Sequence, residues 1–292
     1  MTYKLFRTVA LTIMVLTPLS SYVQAADYDP VPQYGDWAFR IEGGAGYTGI
    51  TFRPEGGPGE TFDGGIANTT MSAAFRMGRF FTQLDGTFGF SKEEEFVKQG
   101  VFGILLGWRD PEQGMLAVHV SATGDSGAGT IFQIEDFWRI GGVGELFLGR
   151  FSIGAAGGIV EAVDTPGFDT DIHYAKGVAR YYINDNLKLE GHGGIVHASL
   201  REPFFSDSVD TFYGRFLAEY KPDASNIGYF VRWDGVIDLG DIDGETIESH
   251  TVMAGVRLYF GEPAGTSIKT YDRAHFADSC TQGAAGAFLS FC

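Results

Sequence analysis

A histidine and a serine two residues apart are the first pair in this chain with catalytic potential. His119 and Ser121 alternate with Val118, Val120 and Ala122, and a β-strand places every second side chain on the same face. An imidazole beside a serine hydroxyl can accept its proton and make the oxygen a nucleophile. The spacing therefore predicts one strand face on which a hydrolytic pair could form, and its use depends on what that face meets.

Metal and cofactor chemistry has less support. The six histidines do not follow the spacing of a metal site, and His192 and His197 fall on opposite faces of one alternating run. The acidic segment 238–245 offers carboxylates to Ca²⁺ but lacks the ligand period of an EF-hand, which favours a solvated loop. No phosphate-binding loop, dinucleotide fingerprint or basic nucleic-acid stripe occurs. We therefore expect no metal, no cofactor and no nucleic-acid partner.

The elements that must position these residues are short alternating segments. The clearest runs from His250 to Phe260, with apolar side chains at every second position from Val252 onward and Arg257 on the opposite face. About ten residues is the length of a tilted β-strand that crosses a bilayer. Further alternating segments succeed one another from Trp37, which predicts about twelve strands over 37–260.

The connections between these segments alternate in length. Tight turns rich in Gly, Pro, Asn and Asp are predicted at 77–79, 110–113, 149–150, 184–186 and 221–225. Longer links are predicted at 49–67, 91–98, 124–134, 161–171, 199–209 and 237–248. Short turns at one end, long loops at the other and an even strand number are typical of an outer-membrane barrel. We predict an all-β fold, a transmembrane antiparallel up-and-down barrel with short periplasmic turns, longer extracellular loops and periplasmic termini.

Charge separates this prediction from a soluble, lipocalin-like barrel, whose apolar face would point inward. No Asp, Glu, Lys or Arg occurs on the apolar face of any predicted strand. A basic residue facing lipid at the bilayer midplane costs about 2–4 kcal/mol, so lipid contact predicts this absence. Aromatic residues fall at two heights, for example Phe39 and Phe260 near the short turns and Tyr47 and Trp138 near the long loops, as interfacial belts do.

Targeting features divide the rest of the chain. Lys4 and Arg7 precede an apolar run too short for a membrane helix, which predicts a signal peptide over 1–25 and Sec-type export. We expect a periplasmic lead-in at 26–36, the barrel at 37–260 and a periplasmic C-terminal tail at 261–292. Cys280 and Cys292 both lie in that tail, and export to an oxidising compartment favours a disulfide between them over a thiol site.

The inward face of the strands carries the charge. The predicted lumen-lining basic residues are Arg40, Arg76, Arg109, Arg139, Lys176, Arg180, Lys188, Arg215, Arg232 and Arg257. The acidic ones are Glu42, Asp85, Glu145, Glu190, Glu219 and Asp234. The lumen is thus weakly basic although the whole chain has a formal charge of −16. Two interpretations stay open: a water-filled pore that favours anions, or a lumen closed by ion pairs between arginines and carboxylates.

Several segments resemble a known class of proteins. Residues 107–114, 139–145 and 181–189 resemble alphaproteobacterial outer-membrane β-barrel proteins, porin-like and mostly without an assigned function. The resemblance implies that the last strand carries the assembly signal, at Gly255, Tyr259 and Phe260, and that the partners are outer-membrane lipid, lipopolysaccharide and the barrel-assembly machinery. The barrel size also resembles monomeric channels for acidic oligosaccharides, an analogy of fold only.

Three functions are considered in order of preference. The first is a monomeric passive channel for small, anionic solutes, and the second is a non-conducting structural or surface-interaction barrel with an ion-paired lumen. The third rests on the resemblance of His119-x-Ser121 to outer-membrane phospholipase A, which has a His-x-Ser on a strand. That enzyme's downstream Asn context is missing here, and both residues are predicted to face the lumen rather than lipid. We therefore expect no enzymatic activity and no catalytic residues.

Overall fold

Twelve antiparallel strands form a closed barrel. The computed structural model describes residues 34–54, 57–91, 99–125, 136–163, 169–202, 205–238 and 246–277. The strands are β1 Trp37–Arg53, β2 Glu60–Met77, β3 Phe80–Ser91, β4 Gln99–Asp110, β5 Gly114–Asp125, β6 Asp136–Leu148, β7 Phe151–Val163, β8 Asp169–Asn184, β9 Leu187–Glu202, β10 Phe205–Tyr220, β11 Ile227–Asp238 and β12 Thr246–Phe260, followed by helix α1, Ile268–His275.

Each strand pairs with its neighbours in the chain, and β1 pairs with β12 to close the ring. At this seam Phe39 lies opposite Phe260, and Arg53 lies opposite Thr246 at the other end. We call the end with the short connections, where β1 begins and β12 ends, the turn end, and the opposite end the loop end. The predicted fold class, including the strand number and the antiparallel order, is confirmed.

The barrel has its apolar face outward. Phe80, Val118 and Phe216 point away from the lumen and are 67%, 59% and 65% exposed. Inward-facing Arg109 and Lys188 are each only 1% exposed. A soluble barrel would reverse this arrangement, because water would meet the charged face and the aliphatic face would form the core. The outward surface is therefore suited to lipid. Among the described residues, no helix is long and apolar enough to span a membrane.

The strands are longer than the alternation predicted. The predicted links 49–67 and 199–209 consist mostly of strand, so that β9 and β10 stay paired up to Glu202 and Phe205, and β11 and β12 extend into the two ends of 237–248. The reason is that strands can continue beyond the apolar band, where outward positions no longer need apolar residues. A search for apolar faces ends where that band ends, although the backbone ladder continues.

The close packing at the β1–β12 seam explains why residue 255, one of the predicted assembly-signal positions, is a glycine. A Cβ on Gly255 would lie 2.2 Å from the carbonyl oxygen of Gly43 and 2.6 Å from the ring of Phe230. Tyr259 is buried and donates a hydrogen bond to Glu219, and Phe260 packs its ring 5.9 Å from that of Phe39. Recognition of these three residues by an assembly machinery stays a prediction. The signal peptide and both cysteines lie outside the described residues.

Candidate functional site in the barrel lumen

The predicted lumen residues all lie on the inward face. Buried among them are Arg40, Glu42, Asp85, Arg139, Glu145, Lys176, Arg180, Glu190, Arg215, Glu219, Arg232, Asp234 and Arg257, while Arg76 is half-buried. Arg109 and Lys188, also predicted to point inward, are buried as well. Because isolated charges are costly to bury, these groups must find partners within the lumen.

One set of ion pairs runs across four strands. Arg215 and Arg232 both contact Asp234, at 2.5 Å and 2.7 Å. Arg232 also reaches Glu42 at 3.0 Å, and Arg257 reaches the other oxygen of Glu42 at 2.7 Å. Each carboxylate thus serves two guanidinium groups, which ties β10, β11, β12 and β1 together through their side chains as well as through the ladder.

A second set of ion pairs lies on β6, β8, β9 and β10 and joins the first. Arg180 pairs with Glu145 and, at 2.6 Å, with Glu190. Lys188 contacts Glu190 at 3.5 Å and Glu219 at 3.1 Å, and Glu219 in turn pairs with Arg257 of the first set. These charges form one linked network along the lumen wall.

The chain enters the lumen after β12. Gly261 has φ +100°, and a Cβ on it would lie 2.4 Å from the carbonyl oxygen of Trp37, so the reversal at the barrel rim requires glycine. Ser267 then caps helix α1 by accepting a hydrogen bond from the backbone N–H of Thr270 at 3.0 Å. Lys221 donates to the carbonyl of Thr266 at 2.8 Å, which fixes the helix start to the turn after β10.

Helix α1 is held by charged groups of the lumen wall. The carboxylate of Asp272 accepts from Lys188 at 2.8 Å and from the Tyr182 hydroxyl at 3.3 Å, and Arg40 lies 3.9 Å away. Burial alone would raise the pKa of Asp272, but the positive charges of Lys188, Arg180 and Arg40 outweigh it and hold that pKa below its usual value. Asp272 is therefore an anion inside the barrel, seated among cations.

The end of the helix makes further contacts with other strands. Arg109 donates to the backbone carbonyl of Asp272 at 2.9 Å, at the end of the helix where free carbonyls favour a positive charge. Arg273 donates to the carbonyl of Phe151 at 2.6 Å. Gln83 both donates to and accepts from the backbone of Ala277, at 3.1 Å and 2.7 Å. The segment 268–277 thus touches the inward faces of strands all around the ring.

A buried histidine lies at the C-terminal end of the helix. Burial lowers the pKa of His275 despite the opposing effect of Glu262, whose carboxylate lies 2.6 Å from Nε2. The neutral imidazole then donates its Nε2 hydrogen to Glu262, whose same oxygen accepts from the backbone N–H of Gly35 at 2.8 Å. This arrangement fixes the helix to both ends of the barrel chain, just before β1 and just after β12.

This placement differs from the prediction for the tail. The sequence predicts a periplasmic C-terminal tail over 261–292 and assigns none of it to the lumen, whereas 268–277 lies among lumen-facing side chains. The sequence contains only a weak indication of this helix. Ser267 is a possible N-cap, Ile268 and Tyr271 are apolar residues one helical turn apart, and Asp272 is an acidic residue that could pair with the basic residues of the lumen. Its partners come from strands distant in sequence, so local pattern could not reveal them.

A small cavity lies between the helix and the wall among the described residues. Its volume is about 10 Å³, room for roughly one water molecule. Its lining is Arg40, Arg180, Lys188, Glu190, Arg257, Asp272, Phe276 and Ala277. Within the part of the chain that the structure describes, α1 and these side chains occupy the lumen at this level.

The predicted hydrolytic pair has no catalytic geometry. His119 Nε2 lies 2.6 Å from the Tyr174 hydroxyl, and both residues are buried in the lumen. Ser121 is 2% exposed, and its Oγ makes no hydrogen bond within the part of the chain that the structure describes. Nor do those residues include a group of three or more His, Cys, Asp or Glu placed to hold a metal ion.

Comparisons with known proteins identify the fold but not the function. No protein-family model and no curated protein sequence matches the chain. An outer-membrane channel from Pseudomonas putida F1 superposes with a TM-score of 0.53 at 13% identity, covering 82% of this chain and 100% of that one. The fold is that of an outer-membrane β-barrel. At this identity the likeness carries no information on substrate.

Two further solved structures align over most of their length with lower scores. The translocator domain of the autotransporter NalP from Neisseria meningitidis has a TM-score of 0.49 at 12% identity, covering 88% of this chain and 98% of that one. The KdgM porin in complex with disordered oligogalacturonate has a TM-score of 0.43 at 10% identity, covering 74% and 99%. We draw nothing from either beyond the shared barrel.

Proposed function

We propose that the protein is an outer-membrane channel that its own C-terminal helix keeps closed, and that the open form passes small anionic solutes. The observation that carries this proposal is the position of Asp272, an anion from the tail seated between Lys188 and Arg40 inside the barrel. A plug that only filled space would need apolar contacts alone. This one presents a carboxylate to the basic side chains of the wall.

The charge of the wall supports anion passage. Over the whole lumen the wall contributes ten basic side chains against six acidic ones, Glu42, Asp85, Glu145, Glu190, Glu219 and Asp234. Without the helix, basic groups outnumber acidic ones, and Arg109 would lose the helix carbonyls to which it donates. A positive excess in a narrow, low-dielectric passage favours anions over cations of equal size.

The cellular setting belongs to the same proposal. The turn end would face the periplasm, the protein would be exported by its signal segment 1–25, and the barrel-assembly machinery would insert it as a monomer. Outer-membrane lipid and lipopolysaccharide would then contact the outward apolar band. The alphaproteobacterial relationship likewise stays a prediction.

One observation favours the alternative, a non-conducting structural or surface-interaction barrel. The linked ion pairs from Arg215 to Lys188 hold the wall together by side chains, as a rigid scaffold would require. The two functions predict different effects of removing the tail: a channel gains solute flux, and a scaffold does not.

Solute flux into liposomes tests the proposal. A chain that ends at Pro263 lacks α1, and its correct folding is checked by heat-dependent mobility on gels. We expect it to admit gluconate faster than a neutral sugar alcohol of similar size, whereas the full chain admits both slowly. Equal slow flux from the folded, truncated barrel would favour the scaffold. Preference for the neutral solute would contradict the anion assignment.

A further inference from the structure

A serine, a histidine and an aspartate are hydrogen-bonded in series on the outward face of β9 and β10. His197 Nδ1 lies 2.7 Å from Asp210 Oδ1, and Ser199 Oγ lies 3.2 Å from His197 Nε2. His197 and Ser199 are two apart on β9, so both face outward, and Asp210 lies directly opposite His197 on β10. This is a second His-x-Ser in the chain, separate from His119 and Ser121.

The hydrogen bonds fix the roles of the two ring nitrogens. An ionised carboxylate only accepts, so the hydrogen must be on Nδ1, which donates to Asp210. In the neutral imidazole Nε2 is then an acceptor, and the Ser199 hydroxyl donates to it. A serine whose proton points at a histidine base, itself oriented by a carboxylate, is the arrangement that activates a serine nucleophile.

The group lies where the apolar surface of the barrel ends. The next outward-facing residues toward the turn end are Ala175 on β8, Ile195 on β9 and Phe212 on β10. These three residues belong to the lipid-facing band. Two residues along a strand are about 7 Å, so the triad lies just above this band. The side chains of His197 and Asp210 are 47% and 51% exposed and therefore accessible. Headgroups and ester bonds of a bilayer occupy this height.

A second polar pair lies beside the triad. On β8, His173 is opposite His197 and Asp171 is opposite Ser199. His173 Nε2 contacts Asp171 at 2.9 Å, so this histidine is held by its own carboxylate and leaves His197 to Asp210. Among the side chains that the structure describes, His173 and Asp171 are thus the charged or titratable groups next to the triad, and they offer an imidazole and a carboxylate to a polar substrate.

We propose that Ser199 and His197, with Asp210 positioning the imidazole, hydrolyse carboxylic esters of amphipathic lipids at the outer rim of the barrel. Ser199 Oγ forms a bond to the ester carbonyl carbon while its proton passes to His197 Nε2. The carbon–oxygen bond to the alcohol then breaks, and the alcohol leaves with that proton. Water attacks the acyl-serine, gives its proton to His197 and releases the carboxylic acid, and Ser199 regains its hydrogen.

The lipid assignment rests on the position of the triad rather than on its residue types. A water-soluble ester has no reason to be concentrated on an outward barrel surface. An acyl lipid lying against Ile195 and Phe212 would present its ester to Ser199, and binding in that orientation is itself a large part of catalysis. The proposal is independent of whether the lumen conducts.

The test uses the full mature chain refolded in micelles. We expect hydrolysis of dioctanoyl phosphatidylglycerol in mixed micelles at a rate well above that of p-nitrophenyl butyrate in water, and labelling of Ser199 by a fluorophosphonate. Ser199→Ala should abolish both reactions. Ser121→Ala, the matched control inside the lumen, should keep the rate and the labelling. Cleavage of the soluble ester alone would overturn the lipid assignment.

The positioning role of Asp210 has its own readout. Asp210→Asn should lower the rate by up to about 10⁴-fold, as loss of the orienting carboxylate does in serine hydrolases. Asp210→Glu should restore part of the rate, which a purely structural role would not predict. Full activity in Ser199→Ala, or no ester hydrolysis by the folded wild-type chain above that variant, would overturn the proposal.

Discussion

Replacing Asp272 by lysine is expected to release helix α1 from the lumen and to open the barrel. The change removes the Asp272 carboxylate from between Lys188 and Arg40 and adds a like charge in its place. Breaking a buried ion pair from one side costs about 3–5 kcal/mol, and each 1.4 kcal/mol is about tenfold in an equilibrium. We therefore expect the released form to gain at least about a hundredfold, measured as trypsin cleavage after Lys269 or Arg273.

A charge swap separates this mechanism from simple misfolding. Combining Asp272→Lys with Lys188→Asp restores an opposite-charge pair across the same 2.8 Å contact and should restore part of the protection, because the new aspartate also lies beside Glu190 and Glu219. Glu112→Lys makes the same change of net charge in an exposed turn at the same end of the barrel and should leave the helix protected. A swap variant as open as the single variant would contradict the role of this pair.

Lowering the pH should weaken the contact between Asp272 and the cations around it and so release helix α1. The pKa of Asp272 is held below its usual value of 3.8 by the surrounding cations, so the ionised carboxylate stabilises the inserted helix at neutral pH. A carboxyl group whose pKa is lower in the folded state than in the unfolded state stabilises the folded state. This contribution is complete at pH values above the unfolded-state pKa, and it is lost as the pH falls through the folded-state pKa. Helix release by acid, measured as cleavage at Tyr271 of α1 or at the adjacent Phe276 by pepsin, which is active at acid pH, is therefore expected only below about pH 3.8.

Replacing Glu42 by glutamine is expected to destabilise the barrel itself. Glu42 is 4% exposed and is shared by Arg232 and Arg257, so its loss leaves two buried guanidinium groups short of counter-charge. We expect the free energy of unfolding, measured by urea titration in lipid vesicles, to fall by about 3–5 kcal/mol. The side chain keeps its shape, so the effect would report charge rather than packing.

An exposed ion pair on the same seam is the control. Arg53 and Glu248 lie 3.0 Å apart near the loop end, with side chains 56% and 25% exposed. Glu248→Gln should change the unfolding free energy by less than about 1 kcal/mol, since solvent screens such pairs. Equal losses in the two variants would mean that burial of the Glu42 network has no special energetic weight.

The barrel was predictable because its pattern is local. Alternation places Val252 and Val256 on one face and Arg257 on the other, and lipid enforces that alternation wherever a strand crosses the bilayer. Beyond the apolar band the constraint ends, which is why the alternation predicts a loop where the outer parts of β9 and β10 form strand. For the same reason the alternation could not point to His197, Ser199 and Asp210. Beyond the apolar band, polar residues are compatible with an outward position.

The plug was not predictable because its partners exist only once the ring is closed. The inward positions of Lys188 and Arg40 could be read from the strand period, and so could the basic excess of the lumen. The meeting of Asp272 with them could not, because the tail is joined to the barrel by a reversal at Gly261 that no periodicity reveals. The sequence offered one indirect indication of the plug: the lumen has an excess of basic residues, and the tail has no other predicted role.

Single-channel current in a planar bilayer tests most directly whether α1 closes the lumen. We predict that the full chain gives long closed periods, and that the folded chain ending at Pro263 and the full-length Asp272→Lys variant both give sustained open steps with anion selectivity. Steady conductance of the wild-type chain equal to that of the two variants, or no conductance from either folded variant, would contradict closure of the lumen by α1.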